Sequence, residues 1–352
     1  KINSIGESNI NQVNIIQKKE KDEEIIFIQK EFTGGKLENE LGEIISNSLK
    51  RLPIKKVMSY QLKDGWTTVN FVRPIKNLLI LHGSNLVKTN AYGIHSNNQT
   101  VGHRFDSEEP LITIDHADNY EKKLLDIGKV IVNFDGRRQK ISSEIKKYID
   151  SQDDKFKIIE DESLLNEVTA LVESPNILIG EFEKKYLKIP MECLILTMKS
   201  NQKYFPLFDK KNLLTNKFII TSNSNTRNTK NIIEGNEKVI RPRLADAQFF
   251  FDQDKKDGME FFASKLKTII YHNKLGSQED RAKRVANMMI YINLHLNFKY
   301  KTDFSRLAML SKADLVSQMV CEFPELQGIM GRYYAIEINE SNDFVNAIED
   351  HY

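Results

Sequence analysis

Residues 221–254 read TSNSNTRNTKNIIEGNEKVIRPRLADAQFFFDQD, and the chain changes character across them. Before this stretch, short apolar runs are separated by polar turns. Leu178-Ile179, Leu194-Ile195-Leu196 and Phe218-Ile219-Ile220 each read as a strand. After about Phe251 the apolar residues recur at helical spacing. Gly258 to Tyr271 reads as one helix. Ser277-Gln-Glu-Asp280 has the form of a capping box, opening a second helix through Ala282, Val285, Ala286, Met289, Ile290 and Leu294. Phe304 to Phe323 and Glu325 to Ile336 continue the pattern. The change of period predicts an α+β fold, a mixed α/β central part followed by an all-helical one, with a boundary near Asp252–Gly258.

Working outward, the N-terminal direction holds a strand at Ile25-Ile26-Phe27-Ile28, bounded by Gly34-Gly35, and a helix from Leu37 to Leu52, ended by Pro53. Thr68–Val72 and Asn77–Gly83 read as strands, Glu121–Tyr148 returns to helical spacing, and Leu164–Val172 is a short helix. The expected organisation is therefore 1–52 (a partly flexible strand-plus-helix segment), 53–251 (α+β) and 252–352 (helical, truncated). No repeat of solenoid length occurs.

The composition, 40% hydrophobic and 28% charged over 352 residues, is that of a folded rather than a disordered chain. No run approaches the ~20 apolar residues of a membrane helix. Two cysteines, Cys193 and Cys321, are too few for a disulfide framework and read as reduced thiols of a cytoplasmic protein. A net charge of +2 predicts no nucleic-acid binding by itself. Between Leu207 and Arg243, however, eight basic residues stand against three acidic ones. Arg241-Pro242-Arg243 sets two guanidiniums on a stiffened backbone, each able to grip a phosphate. Phe249, Phe250 and Phe251 offer rings for unpaired bases. The competing reading puts the phenylalanines in the core and pairs the arginines with Asp246, Asp252 or Asp254.

Other constellations are weaker. His95, His103, Asp106, Asp115 and His116 fit no fixed metal-ligand spacing, and His103-Arg104-Phe105 reads as a structural or RNA-facing trio. Lys312-Ala313-Asp314 has the Asp of a metal-binding His-Asp pair without the His, so Asp314 reads as a helix-surface carboxylate. Gly328 and Gly331 suit close helix packing, since no strand precedes them as a nucleotide loop requires. No phosphate-loop motif occurs.

Arg241-Pro-Arg-Leu-Ala-Asp-Ala-Gln-Phe-Phe-Phe251, preceded by Gly235-Asn-Glu-Lys-Val239, closely resembles a signature of the bacterial glycine–tRNA ligase beta subunit. So do Phe71-Val-Arg-Pro74, Gly102-His-Arg-Phe105, Met198-Lys-Ser-Asn-Gln-Lys-Tyr-Phe-Pro206 and Gln327-Gly-Ile-Met-Gly331, in the family's order. The resemblance implies a subunit of an alpha2beta2 enzyme. The alpha subunit would use ATP and Mg to activate glycine, while the beta chain, with no catalytic residue, metal or cofactor of its own, handles tRNA(Gly). It implies a central region resembling part of the phenylalanine ligase beta subunit and a helical region resembling HD phosphohydrolases, with Ala313 where the His would stand. It also implies a chain lacking N- and C-terminal parts. The expected partners are the alpha subunit and tRNA(Gly), with no membrane and no DNA. The candidate tRNA contacts are Arg227, Lys238, Arg241, Arg243, Arg73 and Arg104. The alternative is an HD-type metal-dependent phosphohydrolase with a degenerate site.

Overall fold

The computed structural model describes residues 14–20, 23–29, 35–152, 156–225, 228–298 and 300–352. It is a mixed α+β structure of many helices and small antiparallel sheets. Two compact units emerge, Lys1–Val101 with Glu109–Lys123, and Gly102–Glu108 with Leu124–Tyr352.

The first unit is built from short hairpins. Strands β1 (Asn14–Glu20) and β2 (Glu23–Gln29) pair with each other, so the expected strand at Ile25–Ile28 is present with a partner preceding it. Helix α1 (Leu37–Lys50) follows, and Gly42 lets it approach Asn90 closely, since a Cβ there would lie 2.7 Å from the Asn90 carbonyl oxygen. Strands β3 (Met58–Gln61) and β4 (Thr68–Phe71) form a hairpin. Three two-residue ladders come next: β5 (Leu81–His82) with β6 (Asn85–Leu86), β7 (Asn90–Ala91) with β8 (Ile94–His95), and β9 (Gln99–Thr100) with β10 (Ile112–Thr113). The continuous strand expected over Asn77–Gly83 is not formed. Asn77 and Asn97 bond each other through their side chains, Asn77 also reaches the Gln99 carbonyl, and Gly83 turns the chain at φ +62°. Side-chain bonds of this kind compete with a ladder.

The second unit is layered around an antiparallel sheet of order β11 (Asn176–Glu181), β13 (Leu214–Ser222), β12 (Phe205–Phe208). Successive side chains of a strand point to opposite faces, and the Phe218-Ile219-Ile220 run is divided accordingly. Ile219, with Phe205 and Leu207, packs on Ile141 and Ile145 of α3 (Phe134–Ser151) and on Leu164 and Val168 of α4 (Glu162–Leu171). Phe218 and Ile220 face a larger core on the other side. Gly180 pairs with Phe218 across the ladder, and a Cβ there would stand 2.6 Å from the Phe218 ring, which therefore requires the glycine.

The helical reading of Glu121–Tyr148 resolves into α2 (Tyr120–Asp126) and α3, separated where Lys129 takes φ +55°. Asn133 caps α3 by accepting from the Gly136 N–H, and Asp161 caps α4 at Leu164. Leu194–Leu196, expected as a strand, belongs instead to helix α5 (Met191–Leu196), which runs on into a π-helical turn at Thr197–Asn201. A three-residue apolar run is equally at home in a buried helix, and Leu194 is fully buried.

The longest element is α6 (Thr229–Asp257), ended by Gly258 at φ +78°. After it come α7 (Met259–Lys265), the short hairpin β14 (Ile270–His272) and β15 (Gly276–Ser277), α8 (Gln278–His295), α9 (Phe304–Leu310), α10 (Gln318–Glu322), α11 (Ile329–Glu337) and α12 (Asn342–Asp350). The capping box at Ser277 and Asp280 is present. Leu178 and Phe218 of the sheet, Ile240 and Phe251 of α6, and Met319, Tyr334 and Ile348 of the later helices lie in one apolar cluster.

Candidate nucleic-acid interface

Helix α6 carries three of the candidate residues, Lys238, Arg241 and Arg243. Ile240, Leu244, Ala247, Phe251 and Asp254 are buried. Their spacings of four, three, four and three residues mark one helical stripe turned to the core. The opposite side holds Lys238, Pro242, Ala245 and Phe249, all exposed. Upstream, the helix is fastened to the sheet: the Tyr204 hydroxyl donates to Asn236 at 2.7 Å, and Glu237 accepts from the Glu181 N–H at 2.8 Å.

The expected trio of cations divides. At roughly 100° per residue, Arg241 and Arg243 leave the axis about 200° apart, on opposite flanks, so they do not form one clamp. Lys238 and Arg241, three residues apart, are neighbours. Arg241 is bound to Glu183, Nε to Oε1, at 2.6 Å. Lys238 and Arg243 are exposed and take part in no ion pair among the described residues. The competing reading, in which Arg241 or Arg243 pairs with Asp246, Asp252 or Asp254, is not what forms among the described residues: Arg241 goes to Glu183 and Arg243 to none of the three. The phenylalanine run divides too, with Phe251 in the core, Phe250 half-buried and Phe249 56% exposed.

The loop leading to α6 is set by the Gly102–Asp106 segment. His103 is buried, with Nε2 2.6 Å from the Asn223 carbonyl oxygen and Nδ1 accepting from the Asp106 N–H at 3.1 Å. That arrangement assigns the proton to Nε2. Asp106 accepts from the Ser224 hydroxyl and from the Asn225 N–H. Asn223 in turn accepts from the Glu173 and Ser174 N–H groups, so its side-chain oxygen is used in holding the loop. Of His103-Arg104-Phe105, the histidine is structural. Arg104 and Phe105 are exposed, the guanidinium 5.4 Å from the ring centroid. Arg73 is exposed in the first unit, and Arg227 lies outside the described residues.

No group of three or more His, Cys, Asp or Glu comes together among the described residues. Asp314, expected on a helix surface, is fully buried. Its Oδ2 accepts from the N–H groups of Gly328 at 2.6 Å and Gly331 at 3.2 Å. Burial outweighs these bonds and the nearby Lys312 charge, and pushes its pKa up to about 6. Gly328 takes φ +80°, and a Cβ on Gly331 would meet Ile348 at 2.7 Å, so both glycines serve close packing as expected. Asp254 is a second buried carboxylate, accepting from the Gln318 and Met319 N–H groups and the Tyr334 hydroxyl. Its signal was present in the sequence, because it falls in helical phase with the apolar stripe of α6. Burial pushes the Cys193 thiol up to about 12, which leaves it unreactive. Cys321 is exposed.

Comparison with known proteins places the chain among the aminoacyl-tRNA synthetases. Residues 4–352 match the family model described as glycyl-tRNA synthetase beta subunit, and the chain belongs to that family. It is 47% identical over 330 residues to the glycine–tRNA ligase beta subunit of Methylobacillus flagellatus, covering 94% of this chain and 46% of that one. Against that of Janthinobacterium the identity is 47% over 329 residues, covering 94% and 47%. Against that of Acidovorax ebreus it is 44% over 349 residues, covering 94% and 48%. The chain thus spans about half the length of the curated relatives it matches. No helix among the described residues is long and apolar enough to cross a membrane.

Proposed function

We propose that this chain is the tRNA-handling part of a cytoplasmic glycine–tRNA ligase. It binds tRNA(Gly) and positions it for ATP- and Mg-dependent glycylation at a separate alpha subunit. The observation that carries the reading is the exposed surface of α6, where Lys238 and Phe249 lie on the outer side and Arg243 on one flank, neither cation in an ion pair among the described residues. Exposed cations and an exposed aromatic ring on one helix serve phosphate contact and base stacking, and neither requires a reaction centre. Arg104, on the loop pinned to Asn223–Asn225, adds a further cation near the start of α6. The central region would correspond to part of the phenylalanine ligase beta subunit, and the region after Gly258 to an HD-like domain.

The test is glycyl-tRNA formation by the alpha subunit with and without the complete beta protein, repeated with the variant pair Lys238→Ala and Arg243→Ala. Charging that depends on the beta protein and weakens in the variant at physiological salt is expected. Charging by alpha alone at the full rate would overturn the reading.

A further inference from the structure

We propose that the cavity between α8, α9 and α12 is a binding site for a phosphate group, held by Lys312 and Arg281. The inference does not depend on the proposed role of α6.

The cavity has a volume of about 260 Å³, and its apolar side includes Val285, Met289 and Leu307. Lys312 lines it and is only 8% exposed. Its ammonium lies 3.8 Å from the centroid of the Tyr352 ring, yet has no hydrogen-bond acceptor and no carboxylate at ion-pair distance among the described residues. Arg281 lines the same cavity, half-buried, its guanidinium 4.5 Å from the Tyr271 ring centroid and likewise without a carboxylate partner. His351, on the third side, bonds the Ile348 carbonyl through Nδ1, and its other ring nitrogen has no partner among the described residues.

A buried ammonium without an anion is costly, and a second cation beside it compounds the cost. Burial and then the Arg281 charge push the Lys312 pKa down to about 8, and burial, with the charges of Lys312 and Arg281, holds His351 below its ordinary value. Asp314 is the nearby acid, but it is not at ion-pair distance from Lys312: its Oδ2 accepts from the amides of Gly328 and Gly331, and its buried Oδ1 has no hydrogen-bond partner among the described residues. The ring of Tyr352 attracts the ammonium without neutralising it. An anion between Lys312 and Arg281 would satisfy both. Phosphate suits the pair, since the guanidinium fork spans two of its oxygens and the ammonium takes a third as a point charge. The volume falls below the usual range for drug-sized ligands. It suits a phosphomonoester with a short organic part, or a single backbone phosphate of RNA.

The experiment titrates inorganic phosphate into the complete protein at constant ionic strength, followed by calorimetry, alongside Lys312→Met and Arg281→Gln. Saturable binding by the wild type, weakened about 10- to 100-fold in each variant, is expected from the loss of one charge-assisted contact. Methionine keeps the volume of Lys312 and removes a buried charge, so the fold should tolerate it. If it does not, Arg281→Gln decides alone. A short single-stranded RNA added as competitor identifies the source of the phosphate: displacement points to a nucleic-acid backbone, and no displacement to a small phosphomonoester. No saturable uptake by the wild type, or equal uptake by the variants, overturns the proposal.

Discussion

Replacing Asp314 with Asn should change how stability depends on pH. The carboxyl is fully buried, and its pKa in the folded protein stands at about 6. Against an ordinary value of about 3.9, a difference of about two units corresponds to about 3 kcal/mol. A pKa raised on folding means that the folded state holds the proton more tightly. The contribution of this group is therefore full below about pH 4 and is lost as pH rises through about 6. Asn keeps an oxygen for the N–H groups of Gly328 and Gly331 but cannot ionise. Urea unfolding of wild type and Asp314→Asn from about pH 4 to 8 isolates the group, because the other carboxylates cancel in the difference. Wild-type stability minus variant stability should fall by about 2 kcal/mol between about pH 4 and 7. A difference that stays level across that window would refute the account of Asp314 as a buried carboxylate strained by desolvation.

Three further outcomes are expected. Gly331→Ala places a methyl group 2.7 Å from Ile348 and 3.3 Å from Asp314, and should cost about 1–3 kcal/mol in denaturant melts. Asp254→Ala orphans the Gln318 and Met319 amides and the Tyr334 hydroxyl at about 1–3 kcal/mol each, so a variant that melts like the wild type would contradict the network. In tRNA binding, Arg243→Ala should reduce the log–log salt slope by up to about one, whereas Arg241→Ala, whose guanidinium is already held by Glu183, should reduce it less. Equal effects from the two arginines would argue against Glu183 holding Arg241 back from RNA.

Much of the fold is legible in the sequence where side-chain pattern and local chemistry agree. Leu37–Lys50 and Glu162–Leu171 are helices with their expected apolar spacing, and the Ser277 capping box opens α8. The hairpin region was less legible, because ladders of two residues leave no periodic trace and depend on side-chain bonds such as Asn97 to Asn77. Leu194–Leu196 misleads because a short apolar run satisfies a strand and a buried helix alike. At the candidate interface, the local charge excess falls partly on α6 and partly on the strand and loop before it. Only the helical phase shows that Arg241 and Arg243 diverge, and only tertiary structure shows that Glu183 takes one of them. Asp314 was misread for a related reason: the amides that receive it belong to Gly328 and Gly331, more than a dozen residues on, a pairing that local sequence does not encode.

The stripe Ile240, Leu244, Ala247 and Phe251 shares its apolar cluster with Met319, Tyr334 and Ile348. Severing the chain between Asp252 and Gly258 would uncover apolar surface on both pieces, and neither would inherit a complete interior. Helix α6 thus acts as a keel common to the sheet and the later helices. A load placed on its outer side would be passed to both through that shared interior.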